Sequence, residues 1–258
     1  MQITILGSGT STGVPQIGCT CNVCLSKDPH DKRLRCSGLV DVDGVRILID
    51  CGPDFREQMI RLNDFRPIDG VLITHEHYDH VGGLDDLRPF SVFRDIPVYA
   101  ESYTADHLRK RMSYCFVEHQ YPGIPDVSLV EVKPFESFYI RSSLGSAVEV
   151  MPFRVMHGKL PILGYRIGDM AWITDMLTLP EESYNYLQDL NCLMMNALRI
   201  TPHSTHQSLS EALAQVKRIA PTDTYFLHMC HQIGLHEKVN ATLPPHVHLG
   251  FDGLRVTL

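Results

Sequence analysis

Six consecutive residues, His75-Glu76-His77-Tyr78-Asp79-His80, crowd four metal-type ligands, His75, His77, Asp79 and His80, into a run that no regular helix or strand can turn to one side. A loop at the end of a strand can do so. The short apolar run Gly70 to Ile73 just before it has the character of a buried strand, so the cluster begins where that strand stops. Imidazole nitrogen together with carboxylate oxygen suits zinc, manganese or iron, and three imidazoles are costly to bury without a partner. The chain must therefore fold so that a strand edge presents this loop to something that completes it.

Completing residues occur at the ends of later apolar runs. His157 follows Phe153-Arg154-Val155-Met156, Asp175 ends Ala171-Trp172-Ile173-Thr174, and His228 ends Thr224-Tyr225-Phe226-Leu227. Each is a polar residue directly after a strand, where loops gather along one sheet edge. Taken singly each is an ordinary capping or core-edge residue; together with the cluster they supply ligands for two metal sites.

The elements around them run from strand-rich, through mixed, to strand and helix in alternation. Gly38 to Val42 and Val45 to Asp50 flank the turn dipeptide Asp43-Gly44 and predict a hairpin. Phe55, Met59 and Leu62 recur at helical spacing. A short strand after Pro97 leads to a helix from Ser102 to Ser113. Next comes a Tyr/Pro/Gly-rich connection, Tyr114 to Pro125, suited to a mobile lid or substrate loop. Strands are expected at Val148 to Val155, Leu163 to Ile167 and Met170 to Thr174. Capping boxes at Thr178 with Glu181, and at Ser208 with Glu211, predict helices that begin at Pro180 and Leu209. A hairpin around Asp252-Gly253 would close the chain.

At 258 residues, with 44% apolar and 21% charged residues, the letters describe one water-exposed globular unit with no long disordered tract. A formal charge of −7 argues against a protein that grips nucleic acid by neutralising phosphates. Met1-Gln2 runs straight into the strand-like Ile3-Thr4-Ile5-Leu6 with no signal-like segment, and no apolar stretch approaches a membrane span, so a cytoplasmic protein is expected. Eight cysteines are too sparse for a disulfide scaffold, and Cys19, Cys21 and Cys24 crowd together as metal ligands do.

This pattern resembles the metallo-β-lactamase superfamily over nearly the whole chain. The resemblance implies an α/β fold, two β-sheets sandwiched between helices (αββα), with a binuclear site along one sheet edge and a hydroxide shared between two divalent metals, manganese or zinc. Carried over by position, His75, His77 and His157 would hold the first metal, and Asp79, His80 and His228 the second. Asp175 matches the bridging carboxylate, and Asp50 the buried aspartate that braces the histidine loop. A glutamate at position 77 would mark the oxygen-reducing branch and a cysteine at position 175 the antibiotic-cleaving one; this chain has neither.

Within that superfamily, Leu6-Gly7-Ser8-Gly9-Thr10-Ser11-Thr12-Gly13-Val14-Pro15 is similar to the opening loop of the phosphodiesterase branch, which includes tRNase Z. Cys19-x-Cys21-x-x-Cys24 with Arg35-Cys36-Ser37-Gly38 resembles the phosphoribosyl 1,2-cyclic phosphate phosphodiesterase (PhnP-like) family. The resemblance implies a structural zinc on Cys19, Cys21, Cys24 and His231, in a loop around 19–36 of one hydrolase domain, 1–258, with Cys36 and Cys230 as alternatives for the fourth ligand. It also implies a general-acid histidine at His206, with His203 as the alternative, and Asp79 as the residue that orients or deprotonates the nucleophile.

The expected activity is metal-dependent hydrolysis of a small, cyclic phosphodiester. A tRNase Z-like RNA endonuclease is the second reading, and a zinc-stabilised binding module with a retired site the third. The acidic charge and the lack of a lysine- and glycine-rich arm disfavour RNA, and no ligand of the pattern is lost, which disfavours the binding module. The partner is a small-molecule phosphodiester, with no membrane involved and a homodimer left open.

Overall fold

The computed structural model of the chain describes residues 1–116 and 123–258. The expected connection from Tyr114 to Pro125 therefore falls partly outside the described residues, and with it the lid.

Strands with apolar residues on both faces need cover on both sides, and that requirement sets the architecture. In β3 (Val45–Ile49), Ile47 and Ile49 enter the core between two sheets, while Leu48 enters a separate core on the outer side. The first sheet comprises β1 (Gln2–Gly7), β2 (Ser37–Val42), β3, β4 (Gly70–Leu72), β5 (Ile96–Glu101), β6 (Val127–Val132) and, beside β1, β14 (Arg255–Thr257). The second runs from β7 (Phe138–Arg141) through β8 (Ala147–His157), β9 (Leu160–Ile167), β10 (Met170–Ile173), β11 (Cys192–Asn196) and β12 (Asp223–Leu227) to β13 (Val247–Leu249).

Ile3, Ile5, Val40, Tyr165, Trp172 and Met194 fill the space between the sheets. Helices α1 (Phe55–Leu62) and α3 (Ser102–Arg111) cover the outer face of the first sheet through Phe55, Ala105 and Leu108. Helix α4 (Leu209–Ile219), opened by the Ser208/Glu211 capping box, covers the second through Ala212 and Ile219. This is the αββα sandwich expected from the resemblance. Among the described residues no helix is long and apolar enough to cross a membrane.

Strands β3 to β6 are mutually parallel, as are β10 to β13. Parallel strands deliver all their carboxyl ends to one edge, and such an edge is where loops can build a site. The Asp43-Gly44 hairpin is present, with Val42 opposite Val45 and both turn residues at positive φ.

Three local expectations are corrected. Thr178 opens no capping box: its carbonyl is taken by Met156 at the end of β8, and the segment Glu181–Tyr186 is a 3-10 helix without a side-chain cap. The long-range pairing has claimed the residue that was to cap it. The helix from Ser102 stops at Arg111, and Ser113–Cys115 form a separate 3-10 turn. The turn at Asp252-Gly253 exists, but it joins β13 of the second sheet to β14 of the first, so it closes no hairpin. Asp252 holds it there by accepting hydrogen bonds from the Ser8 amide and hydroxyl (2.9 and 2.8 Å) and the Leu34 amide (2.7 Å).

Candidate metal centre

Helix α2 (Tyr78–Val81) begins within the histidine cluster, two residues past the β4 loop at His75-Glu76. Gly52, after β3, and Gly83, after α2, approach so closely that a Cβ on Gly52 would collide with the Asp79 carbonyl and one on Gly83 with the Gly52 carbonyl. The Cys51 amide donates to the His80 carbonyl at 2.7 Å, which ties the two segments together. The loops ending β8, β10 and β12 then bring His157, Asp175 and His228 to the same edge. Asp50, Asp175 and His228 all sit in the left-handed region, at φ 56°, 56° and 53°. That backbone costs a non-glycine residue on the order of 1–3 kcal/mol and gathers at functional sites.

The ligand atoms of His75, His77, His157 and Asp175 lie within 4.8 Å of one another, as do those of Asp79, His80, His228 and Asp175. Asp175 belongs to both sets. Its Oδ1 is 3.2 Å from both His80 Nε2 and His228 Nε2, and its Oδ2 is 3.9 Å from His75 Nε2. Asp79 Oδ2 lies 3.1 Å from His80 Nε2 and 3.4 Å from His228 Nε2, and His75 Nε2 faces His77 Nδ1 at 2.9 Å. His77 is exposed and the other ligands are buried, so the centre opens to solvent on the His77 side.

The electrostatics suit cations. Burial opposes ionisation of Asp175, yet His228 and His80 hold its carboxyl well below the usual range. Burial lowers His75, His77 and His157, leaving neutral imidazoles of the kind metals bind. For His80, burial is outweighed by Asp175, Asp79 and Asp50, which raise it well above its ordinary value. The field that holds this proton would hold a metal cation as well. His80 Nε2 is itself buried without a well-aligned hydrogen-bond partner, as a ligand nitrogen aimed at an ion would be. The residues therefore fit two divalent ions.

Outer partners set the ring orientations. Asp50 Oδ2 takes His80 Nδ1 at 2.7 Å, while the Thr74 amide and hydroxyl donate to Asp50 and the Thr74 hydroxyl lies 3.0 Å from His75 Nδ1. His157 Nδ1 donates to the Thr205 carbonyl at 3.0 Å, and the Thr174 hydroxyl donates to Asp175 Oδ1 at 2.7 Å. Asn196 accepts from the Met176 amide at 2.8 Å and donates to its carbonyl at 3.0 Å, which pins the loop after Asp175. Thr74, Thr174 and Asn196 escaped the sequence reading. The signal was there for Thr74, a hydroxyl between a strand and the first histidine, but only the fold reveals what Asn196 faces.

His206 and His203 share the loop before α4. His206 Nε2 lies 3.1 Å from Asp175 Oδ2, and its ring stacks on His228 at 5.1 Å and meets His157 edge-on at 4.5 Å. His203 stands behind it, its Nδ1 3.3 Å from His206 Nδ1. Of the two, His206 reaches the centre.

The cysteine group assembles separately. Cys19, Cys21, Cys24 and His231 have ligand atoms within 4.8 Å of one another, with His231 Nδ1 3.6 Å from Cys19 Sγ and 3.3 Å from Cys21 Sγ. The Cys24 amide, bonding to Cys21 Sγ, brings the Cys21 thiol down to about 6, helped by His231 and Cys19 against burial. Burial pushes Cys24 up to about 11, with Cys19 and Cys21 adding to it. Three thiols this close cannot all ionise without a cation, and a tetrahedral zinc is the ion that such a Cys3His set fits. Neither alternative belongs to this group: Cys36 is buried beside Thr174 under the other centre, and Cys230 is separate. The glycine-rich opening loop serves as a brace, since Ser8 and Thr10 exchange backbone hydrogen bonds with Met229, next to His228, and Gly9 bridges to Arg35.

Comparison with known proteins adds the following. Residues 45–229 match the model of the beta-lactamase superfamily domain. A protein of Porphyromonas gingivalis named octanoyltransferase is 45% identical over 260 residues, covering 100% of this chain and 52% of that protein. The chain thus spans about half the length of that curated relative. Among solved structures, a new diphosphatase from the PhnP family superposes with a TM-score of 0.90 at 39% identity, over 99% of this chain and 96% of that one. The Zn(2+)-bound PqqB from Methylobacterium extorquens superposes with a TM-score of 0.78 at 20% identity over 100% of both chains, a likeness of fold.

Proposed function

The chain belongs to the beta-lactamase superfamily, and from this premise we propose that it is a metal-dependent hydrolase that opens a small cyclic phosphodiester. The observation that carries the proposal is the position of Asp175. One carboxylate serves both ligand sets and also touches an imidazole, His206, that belongs to neither set. A two-ion site with a proton donor beside it is what cleaving an ester of phosphoric acid requires.

In this reading His75, His77 and His157 would hold one ion and Asp79, His80 and His228 the other, with Asp175 common to both sets. Zinc or manganese there would supply Lewis acidity toward the phosphoryl oxygens and a nucleophile derived from water at neutral pH. Asp79, a carboxylate beside His80 and His228 at the edge of the second ligand set, orients the attacking water and takes its proton. His206 Nε2 delivers a proton to the departing alcohol oxygen. Exposed His77 marks the side from which substrate enters. Cys19, Cys21, Cys24 and His231 would hold a zinc that carries no chemistry. The acidic net charge supports a small substrate over RNA.

A diphosphate is the second reading, favoured by the 39% identity with the PhnP-family diphosphatase. Its leaving group is a phosphate, which departs with less need of a proton. The name octanoyltransferase belongs to a relative about twice as long as this chain, so a thioester enters only as a control.

The test is turnover of five-membered cyclic phosphates, linear diesters, a diphosphate diester, a thioester and precursor tRNA by protein loaded with zinc or manganese. Opening of the cyclic phosphates is expected, with His206→Ala lowering kcat roughly 10²- to 10⁴-fold. That loss should shrink when nitrophenolate is the leaving group. Efficient cleavage of precursor tRNA with every cyclic phosphate inert would replace this reading by RNA processing, and turnover of the diphosphate alone would establish the second.

A further inference from the structure

Between β11 and α4 the chain makes an excursion whose two ends are bonded to each other. The Leu198 amide donates to the Gln207 carbonyl at 2.9 Å, and the Leu209 amide donates to the Arg199 carbonyl at 2.8 Å. Residues 200–206 between them form neither helix nor strand, and among the described residues the backbone of 201–206 makes no hydrogen bond to other backbone groups. Two groups of this loop nevertheless serve the metal centre. The Thr205 carbonyl accepts from His157 Nδ1 at 3.0 Å, and His206 Nε2 lies 3.1 Å from Asp175 Oδ2. A closed neck fixes where such a loop begins and ends but not the path between, and ordering that path costs conformational entropy. One side chain supplies the bonds that the backbone leaves out. The Arg199 guanidinium, at the neck, donates through Nε to the Thr201 carbonyl (3.2 Å), through Nη2 to the Pro202 carbonyl (2.7 Å) and through Nη1 to Gln232 Oε1 (3.1 Å).

We propose that Arg199 is a positioning residue for the metal centre: its guanidinium sets the path of the 200–206 loop, and with it the places of the Thr205 carbonyl and the His206 ring. The three acceptors are neutral, so the arginine serves as a rigid, planar fork of donors and not as one half of an ion pair. Gln232 grips the same stretch from the other side, its side chain taking Arg199 and its carbonyl taking the Ile200 amide at 3.5 Å. Pro202 suits the arrangement, since its ring fixes φ and it has no N–H to leave unpaired. A displacement of about 1 Å at a reacting group can cost about 10²-fold in rate, so a loop that carries such a group needs a support of this kind. The consequence for catalysis rests on the reading of His206 as the proton donor. The consequence for His157, which the Thr205 carbonyl orients, does not.

The experiment compares Arg199→Ala and Arg199→Lys with the unmodified chain. A lysine ammonium can reach one carbonyl but cannot span three acceptors as a planar fork does. Zinc titrated in competition with a chelator should bind the open centre about 10-fold more weakly in Arg199→Ala, the lower end of the range for an outer partner, with the melting temperature held. At saturating zinc, on a substrate with an alkoxide leaving group, kcat should fall about 10- to 100-fold with KM unchanged, and far less on a nitrophenyl ester. Arg199→Lys should recover little of either loss. Guanidinium ion added to Arg199→Ala should recover part of both, and ammonium ion at the same ionic strength neither. The proposal falls if Arg199→Ala binds zinc as tightly as the unmodified protein. It falls equally if alkoxide and nitrophenyl substrates slow by the same factor, or if lysine restores both losses, which would reduce Arg199 to a surface charge. Absence of any phosphoester turnover would defeat the functional reading, while the zinc titration still decides this one.

Discussion

The histidine–aspartate centre and the cysteine group are assembled in opposite ways. The first takes side chains from the ends of β4, β8, β10 and β12, two sheets contributing to one edge, and keeps an exposed ligand in His77. The second takes three thiols from the six residues Cys19 to Cys24 of one loop and closes them with an imidazole 212 positions from Cys19. In the first the scaffold makes the site; in the second the site holds a loop to the scaffold. The chemistry differs accordingly. Carboxylates and imidazoles around an open edge suit exchangeable ions that act on a substrate, whereas thiolates in a closed set suit a retained zinc whose binding energy is folding energy.

The sharpest test of that contrast is Asp175→Ala, which removes the carboxylate common to both ligand sets. Loss of about 4 kcal/mol of charge stabilisation, or roughly 10³-fold in turnover, is expected, with metal content falling at the open centre while one zinc per chain and the melting temperature are kept. Unchanged metal content with full activity would show that Asp175 bridges nothing.

A smaller effect is expected for Asp50→Asn. Asp50 touches no substrate, but it orients His80 from 2.7 Å and anchors Thr74 beneath His75. Titration with zinc in competition with a chelator should reveal affinity at the open centre weakened by about 10- to 100-fold, with the cysteine group unaffected. Equal weakening at both sites would mean that the two are one cooperative unit and that the contrast drawn above is false.

The least effect on chemistry, and the largest on stability, belongs to Cys21→Ser. Elemental analysis should find one zinc fewer per chain. A ligand present at a thousand times its Kd contributes about 4 kcal/mol, so melting should come roughly 8–16 °C earlier for a chain of this size. At low temperature kcat should change far less than in either aspartate variant. A larger fall in kcat than in stability would mean that this group acts on the open centre and not as a fastening of the loop.

Much of the fold and of the centre was legible because the signals are local. Asp43-Gly44 between two apolar runs can hardly be anything but a tight turn, and Ser208 with Glu211 caps a helix from four residues' worth of chain. The errors came where a distant segment overrode a local signal. Thr178 had the composition of a cap but was already bonded to Met156, and Asp252-Gly253 had that of a hairpin turn but serves strands of different sheets. Asn196 carried no signal, because an asparagine after an apolar strand is common and its value depends on Met176 standing opposite.

The sequence by itself determined the kinds of ligand, since residue type decides between hard and soft donors, and it determined that the histidine cluster must occupy a loop at a strand end, since no regular element presents His75, His77, Asp79 and His80 together. Only the tertiary structure decided that Asp175 is shared by two ligand sets, that His231 joins the cysteines while Cys36 lies buried beside Thr174, and that His206 faces the centre with His203 behind it. These choices turn on distances of a few ångströms between residues tens to hundreds of positions apart. Such distances are set by how two sheets pack face to face, and no local pattern of letters encodes that.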